Sequence, residues 1–200
     1  RKAGGVYYTP TYIVDYIVEN TVGKLLNGHE NVGGASTRRP DGKENVGGAS
    51  TRRPDGTENV GGRSTRRPIS TKKVSELRIL DPACGSGSFL LGAYQYLLDW
   101  HRDQYVADDP EKHARGRPPR LYKDRAGEWK LTTAERRRIL LNNIYGVDID
   151  PQAVEVTKLS LLLKVLEGET DQTLDSQLKF FHERALPDLS NNIKCGNSLI

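Results

Sequence analysis

The sequence predicts an α/β fold in which a parallel sheet is flanked by helices. The apolar run "LRIL" at 77–80 indicates a buried strand, and apolar residues at helical spacing follow it over 89–98. The run "NIYGVDID" at 143–150 indicates a second strand, followed by the apolar helix "QAVEVTKLSLLLKVL" at 152–166. "NIKC" at 192–195 is a weaker third strand. Strands that alternate with helices in this way pair in parallel through right-handed crossovers.

Length and composition fit one domain of 200 residues with its own core. The chain begins at Arg1 and contains no Met, so we interpret it as a piece of a longer protein. No stretch approaches the roughly 20 apolar residues of a membrane span. Cys84 and Cys195 match neither a metal-ligand spacing nor a disulfide framework. We therefore expect a cytoplasmic protein without a metal site or a membrane partner, and the oligomeric state stays open.

A tandem repeat with a period of 14 residues occupies 30–68 and separates an N-terminal part, 1–29, from the main part, 69–200. Each copy is rich in Gly, Pro and Arg and has Val as its only sizeable apolar residue, which predicts a disordered insertion. The insertion holds eight Lys or Arg and five Asp or Glu, so it carries most of the net charge of +4. The alternative is a basic arm that binds phosphates through paired arginines, namely Arg38, Arg39, Arg52, Arg53, Arg66 and Arg67.

Further helices are predicted by caps and spacing. Thr9 and Pro10 are typical of an N-cap and a first helical residue. The apolar residues that follow them at helical spacing are Ile13, Val14, Ile17, Val18, Val22 and Leu25. Residues 102–131 are polar and irregular, with a hairpin at "LYKDRAGEWKL". Thr132 and Glu135 form a capping-box pattern before a further helix, and Asp150 is expected to cap the helix at 152–166.

The loop "ACGSGS" at 83–88 follows the first strand and is expected to hold a ligand, because ligands bind at the carboxyl ends of parallel strands. A nucleoside triphosphate is disfavoured, since no Lys-Ser or Lys-Thr follows the loop. A dinucleotide requires a third glycine where Leu90 stands, and the carboxylate of Asp81 would repel its pyrophosphate. S-adenosylmethionine carries an ammonium and a sulfonium and no phosphate, so the charge of Asp81 favours it.

The second strand supports the same ligand. Asp148 ends that strand as an acid suited to holding both ribose hydroxyls, and Ile149 could pack on an adenine face. The plain alternative for Asp148 is an exposed acid at a strand end. Cys84 is expected to be a small residue packed under the loop rather than a nucleophile. The four histidines, His101 among them, are expected to lie at the surface or to be hydrogen-bonded.

The motifs "YYTP", "DPACGSGSF" and "GVDIDP" together resemble the cofactor motifs of the N6-adenine DNA methyltransferases. Their order matches the gamma arrangement, and the closest resemblance is to type IIG restriction–modification enzymes, which join methylation and cleavage in one chain. The resemblance covers 1–29 and 69–200. It implies the Rossmann-like fold of class I S-adenosylmethionine-dependent methyltransferases, truncated here.

The resemblance also implies roles for individual residues. Tyr8 and Thr9 would contact the methionine end of the cofactor, and Asp148 would hold its ribose. "KCGNSL" resembles the third cofactor motif and would place Asn197 against the amino edge of the adenine, although Asn197 could equally be a turn residue. The amino-acid part of the cofactor would be held by Asp81 and by the loop backbone, that is, Ala83, Cys84, Gly85, Ser86 and Gly87.

One family motif is missing from the sequence. The catalytic Asn/Asp-Pro-Pro-aromatic tetrapeptide occurs nowhere, so we expect it beyond Ile200, together with most of the contacts to double-stranded DNA. The chain is therefore predicted to hold the cofactor part of a site-specific adenine-N6 DNA methyltransferase and to be inactive alone. The alternatives are an RNA or protein methyltransferase, a nicotinamide-dependent oxidoreductase, and a non-catalytic module that binds nucleic acid through its arginine repeats.

Overall fold

A computed structural model of the protein describes residues 9–26, 71–168 and 187–199. The helices are α1 (Thr11–Val18), α2 (Lys24–Leu26), α3 (Thr71–Ser75), α4 (Ser88–Asp108), α5 (Pro110–Arg115), α6 (Thr133–Asn143) and α7 (Pro151–Leu166). A π-helical turn at Glu19–Gly23 joins α1 to α2. The strands are β1 (Ile79–Asp81), β2 (Leu121–Lys123), β3 (Trp129–Leu131), β4 (Ile144–Asp148) and β5 (Ile193–Cys195). The predicted repeat at 30–68 lies outside the described residues.

The central sheet has the strand order β1-β4-β5, and both pairs are parallel. Asp81 pairs in register with Gly146, and Asp148 pairs with Cys195, so the carboxyl ends of the strands meet at one edge. The helices α4 and α7 follow β1 and β4 and pack against the sheet. The predicted α/β fold is confirmed: it is a truncated, Rossmann-like arrangement with a parallel sheet and flanking helices.

The first helix packs on α4 through a stripe of valines. The buried residues are Val14 and Val18 in α1, and the stripe continues every four positions with Val22 in the π-helical turn and Leu26 in α2. The prediction of Leu25 on this stripe is wrong, since Leu25 is 45% exposed and Leu26 is 1% exposed. The extra residue of the π-helical turn rotates the following side chains and brings Leu26 inward.

The start of α1 also differs by one residue from the prediction. The helix begins at Thr11 after Pro10, no side chain caps it, and Thr9 precedes the cap position. The carbonyl of Pro10 accepts the first helical bonds, from the amides of Ile13 and Val14 at 3.0 and 3.2 Å. A proline that is set in an extended conformation can end the preceding segment without serving as the first helical residue.

The segment 102–131 is more regular than its polarity indicates. The helix α4 continues to Asp108, and α5 begins after Asp109, whose carboxylate accepts a 3.1 Å bond from the amide of Lys112. The prediction of an irregular stretch is wrong here, because Tyr105 and nearby residues on the same face of α4 are buried. The predicted hairpin is confirmed: β2 and β3 are antiparallel, and Leu121 pairs with Leu131.

Two of the predicted caps are formed. Asp150 accepts a 2.9 Å bond from the amide of Gln152 at the start of α7. The hydroxyl of Thr132 accepts a 3.3 Å bond from the amide of Glu135. The second half of the predicted capping box is not formed, because the Glu135 carboxylate instead accepts a 2.6 Å bond from Tyr105 and two bonds from Arg138.

One apolar cluster joins α1, the hairpin, the sheet and the helices α4, α6 and α7. It covers one face of the sheet, where Ile79, Ile144 and Ile193 are buried. Among the described helices, none combines the length and the apolar character that a bilayer span requires.

Candidate cofactor-binding site

The glycine loop between β1 and α4 is hydrogen-bonded to the end of β4. The amide of Cys84 donates to the carbonyl of Val147 at 3.0 Å, and the amide of Gly85 donates to Oδ2 of Asp148 at 2.7 Å. The parallel pairing of β1 with β4 places both strand ends side by side. The end of β1 and the loop that follows it therefore form one site with Asp148, which lies 63 positions after Gly85 in the sequence.

The two loop glycines have left-handed backbones but different surroundings. Gly85 has a φ of +53°, and a Cβ added there would meet no atom within 4 Å. Gly87 has a φ of +81°, and its added Cβ would lie 2.8 Å from Cγ2 of Thr157. Gly85 therefore presents an open side, whereas Gly87 requires glycine both for its backbone and for close packing.

Asp148 connects the loop, α7 and β5. Its Oδ2 accepts from Gly85, its Oδ1 accepts a 2.9 Å bond from the amide of Asp150, and its carbonyl accepts a 2.9 Å bond from the amide of Gly196. Each carboxylate oxygen has two acceptor sites, so both retain capacity for a further donor. The carboxylate is thus fixed in orientation and remains able to accept hydroxyl groups.

Negative charge surrounds the loop. Asp81 accepts a 3.1 Å bond from the amide of Ala83, Asp148 lies across the loop, and residues 81–88 contain no Lys or Arg. Burial, and then the carboxylates of Asp81 and Asp148, raise the pKa of the Cys84 thiol to about 11. The thiol therefore stays neutral and lies close to Gly146 of β4, as expected of a small residue under the loop.

The other residues that the sequence predicted for this site are less constrained. Tyr8 lies outside the described residues, and Thr9 is half-buried ahead of α1. Ser86 is half-buried, and its hydroxyl lies 3.4 Å from that of Ser88. Ile149 is 77% exposed beside Asp148, so its side chain is accessible at the rim. Asn197 follows β5 and accepts a 2.9 Å bond from the amide of Leu199, which is the turn role that the sequence left open.

Thr157 is a residue of this site that the sequence analysis missed. It is fully buried on α7, and its hydroxyl donates to the carbonyl of Gly85 at 2.8 Å. The available signal was its position: it lies on the same helical face as Val154 and Leu161, where a polar residue interrupts an otherwise apolar stripe.

A cleft of about 290 Å³ lies elsewhere, between α4, β3, α6 and α7. Four of its charged residues form ion pairs with each other: Arg102 lies 2.9 Å from Asp99, and Lys164 lies 2.5 Å from Glu167. The described residues contain no group of three or more His, Cys, Asp or Glu side chains placed to hold a metal ion.

The parallel sheet and its glycine loop, tied to a strand-end carboxylate, define a Rossmann-like cofactor-binding domain. The chain belongs to the family described as MmeI, DNA-methyltransferase domain, which matches residues 61–200. The match begins inside the third copy of the repeat. This membership confirms the resemblance drawn from the motifs and decides against the oxidoreductase alternative.

Three curated relatives agree with the family. A protein of Methanocaldococcus jannaschii named as a type II restriction enzyme and methyltransferase is 32% identical over 200 residues, which is all of this chain and 15% of the relative. The type II restriction enzyme and methyltransferase RM.Eco57I of Escherichia coli is 29% identical over 195 residues, or 98% of this chain and 14% of the relative. The adenine-specific methyltransferase PglX of Streptomyces coelicolor is 29% identical over 105 residues, or 52% of this chain and 7% of the relative. The chain thus spans about 15% of the length of the first of these relatives.

Proposed function

We propose that this chain is the S-adenosylmethionine-binding part of a site-specific adenine-N6 DNA methyltransferase of a restriction–modification system. The observation that carries the proposal is the 2.7 Å bond from the amide of Gly85 to the carboxylate of Asp148. It brings a carboxylate suited to ribose hydroxyls next to the open side of Gly85. Membership in a DNA-methyltransferase family and the names of the relatives support the choice of reaction.

The residues present fit this cofactor by charge and by space. A Cβ at Gly85 would meet no atom within 4 Å, so there is room for a ligand against the loop backbone. Asp81 and Asp148 favour a cationic ligand and oppose a pyrophosphate. The N-terminus of α4 carries no side-chain cap, and amides at such a helix start attract an anionic group such as the cofactor's carboxylate.

Each part of the cofactor has a proposed holder. Asp148 would accept the ribose hydroxyls, and Ile149 would pack on the adenine, whose amino edge would face Asn197. Thr9, with Tyr8 before it, would contact the methionine end. The amino-acid part would be held by Asp81 and the loop, that is, Ala83, Cys84, Gly85, Ser86 and Gly87. When bound, S-adenosylmethionine supplies an electrophilic methyl group on its sulfonium.

The acceptor side of the reaction is proposed to come from residues outside this sequence. The Asn/Asp-Pro-Pro-aromatic tetrapeptide, which in the resembled family receives the flipped base, does not occur in the 200 residues. We therefore propose that the chain alone transfers no methyl group and that most contacts to double-stranded DNA lie elsewhere. A DNA-modifying enzyme of this kind would work in the cytoplasm.

The test uses the complete protein that contains this chain. It is incubated with S-adenosylmethionine carrying a labelled methyl group and, separately, with DNA, RNA and a protein mixture. Digested DNA is then analysed for methylated nucleosides by mass spectrometry. We expect label in N6-methyladenine, lost in the Asp148→Ala variant. Label in a cytosine, in RNA or in protein would contradict the proposed substrate.

A further inference from the structure

We propose that Thr157 is a positioning residue for the cofactor site: its buried hydroxyl orients the Gly85 peptide and thereby sets the affinity for the cofactor. The inference rests on the proposed function for its ligand, and its structural part can be tested without any ligand.

Both polar groups of Gly85 are held by residues of β4 and α7. The carbonyl accepts from Oγ1 of Thr157 at 2.8 Å, and the amide donates to Oδ2 of Asp148 at 2.7 Å. A left-handed glycine has a wide range of accessible backbone angles, so two opposed hydrogen bonds are needed to select one orientation. Removing either bond leaves one polar group of Gly85 without its partner.

The Thr157 hydroxyl points away from its own helix and towards the glycine loop. A threonine inside a helix ordinarily donates to a carbonyl three or four residues earlier in the same helix. Here the hydroxyl donates instead to a residue 72 positions away. The neighbours of Thr157 on this buried face, Val154 and Leu161, are apolar, so packing alone would be satisfied by an apolar side chain. The hydroxyl is therefore explained by the loop rather than by the helix.

Thr157 also packs closely against Gly87. A Cβ at Gly87 would lie 2.8 Å from Cγ2 and 2.9 Å from Oγ1 of Thr157. The side chain of Thr157 thus contacts the loop at both of its left-handed glycines. A shift of the Thr157 side chain would therefore affect both Gly85 and Gly87, and Gly87 is the N-cap of α4.

The binding test compares Thr157→Val with Thr157→Ser in the complete protein by calorimetric titration with S-adenosylmethionine. Valine keeps the volume and removes the donor, so we expect the Kd to rise roughly five- to thirtyfold. Serine keeps the donor, so its Kd should stay within roughly twofold of the original. Equal Kd values for the valine variant and the unchanged protein, or equal losses in both variants, would overturn the inference.

Thr132→Val is the matched control. The Thr132 hydroxyl is also buried and donates to a backbone carbonyl, that of Pro119 at 2.9 Å, but it lies at the hairpin rather than at the loop. This variant should lower the free energy of unfolding and leave the Kd unchanged. A rise in Kd equal to that of Thr157→Val would mean that any lost buried hydroxyl weakens binding, which would contradict a positioning role.

A second readout needs no ligand. In Thr157→Val the amides of Gly85 and Gly87 should exchange their hydrogens roughly tenfold faster, while the amide of Leu97 in the middle of α4 should be unaffected. Unchanged exchange at the loop would overturn the positioning role. Absence of S-adenosylmethionine binding by the unchanged protein would instead contradict the proposed function, and the exchange rates would still decide the role of Thr157.

Discussion

His101 is fully buried on α4 between the rings of Trp100 and Tyr105, whose centroids lie 5.0 and 5.7 Å away. Neither ring nitrogen has a hydrogen-bond partner within the described part of the chain. The expectation of a surface or hydrogen-bonded histidine is therefore wrong for His101. Its position four residues after Leu97 and four before Tyr105 places it on the buried face of the helix.

The burial of His101 makes the stability of the fold depend on pH. Burial first, and then the positive charges of Arg138 and Arg120, lower the pKa of His101 from its ordinary value of 6.5 to about 4, against the opposing effect of Glu135. Between these two values the unfolded chain binds a proton that the folded chain does not. The contribution to stability is therefore complete above pH 6.5 and falls as the pH drops towards about 4.

Replacing His101 with phenylalanine should remove this dependence. Phenylalanine replaces the imidazole with a somewhat larger apolar ring and removes two unpaired polar atoms, so whatever the stability of His101→Phe at pH 8, it should not change with the protonation of this side chain. Between pH 8 and pH 5 the original protein should lose roughly 2 kcal/mol more than the variant. Urea unfolding at both pH values measures the difference. Equal losses in the two proteins would contradict the account.

At the level of single residues, local chemistry could be predicted where it depends on neighbours in sequence. The cap at Asp150 and the packed thiol of Cys84 belong to this group, because both follow from a few adjacent residues. The role of Thr157 could not be predicted, because it depends on a contact across 72 positions. The turn at Asn197 was one of two open alternatives, and the structure shows the turn bond.

The docking of α1 on α4 depends on a glycine at the contact. A Cβ added to Gly92 would overlap Cγ1 of Val14 and would also approach Cγ2 of Val18 at 3.5 Å. Both valines are β-branched and have one strongly preferred rotamer in a helix, so they cannot easily move aside. The segment before the repeat is thereby packed into the same core as the sheet.

Gly92→Ala should consequently destabilise the protein in spite of the better helix propensity of alanine. Overlap with a buried valine costs about 1–3 kcal/mol, whereas the propensity gain is at most about 1 kcal/mol. The free energy of unfolding measures the net loss. Adding Val14→Ala should relieve the overlap, so the double variant should be more stable than the sum of the two single effects indicates. Strict additivity would show that the two helices do not meet at this contact.

At the level of elements, the spacing of apolar residues predicted the three parallel strands, α7 and the hairpin. The apolar spacing failed to predict helical structure where contacts with other elements, rather than the composition of the segment, stabilise the helix. The polar stretch after Leu98 remains helical because Tyr105 and Glu135 join α4 to α6 through a buried 2.6 Å bond. The shift from Leu25 to Leu26 arises from the π-helical turn, which no apolar pattern indicates.

At the level of the whole molecule, the helices α4 and α7 cover one face of the sheet in the described part of the chain. On the other face, Leu80 is 58% exposed. The outer side of α7 is also apolar, with Val156, Leu159 and Leu163 between 50% and 60% exposed. The glycine loop and Asp148 lie together at one edge of the sheet, where β1 and β4 end.

How the site is assembled could be predicted in part. The motifs indicated which strand ends would meet, since parallel strands place their carboxyl ends at one edge. They did not indicate that Asp148 already binds the amide of Gly85, because the orientation of a side chain depends on the register between β1 and β4. This bond makes Asp148 both a holder of the loop and the proposed holder of the ribose.

Calorimetric titration of the complete protein tests whether it has a pocket for S-adenosylmethionine that depends on Asp148. We predict binding of S-adenosylmethionine, no binding of NAD, and loss of binding in Asp148→Ala. Asp109→Ala is the control, because it removes the cap of α5, at the opposite end of α4 from the loop, and should cost about 1 kcal/mol of stability without affecting binding. Binding of NAD, or unchanged affinity in Asp148→Ala, would contradict the account.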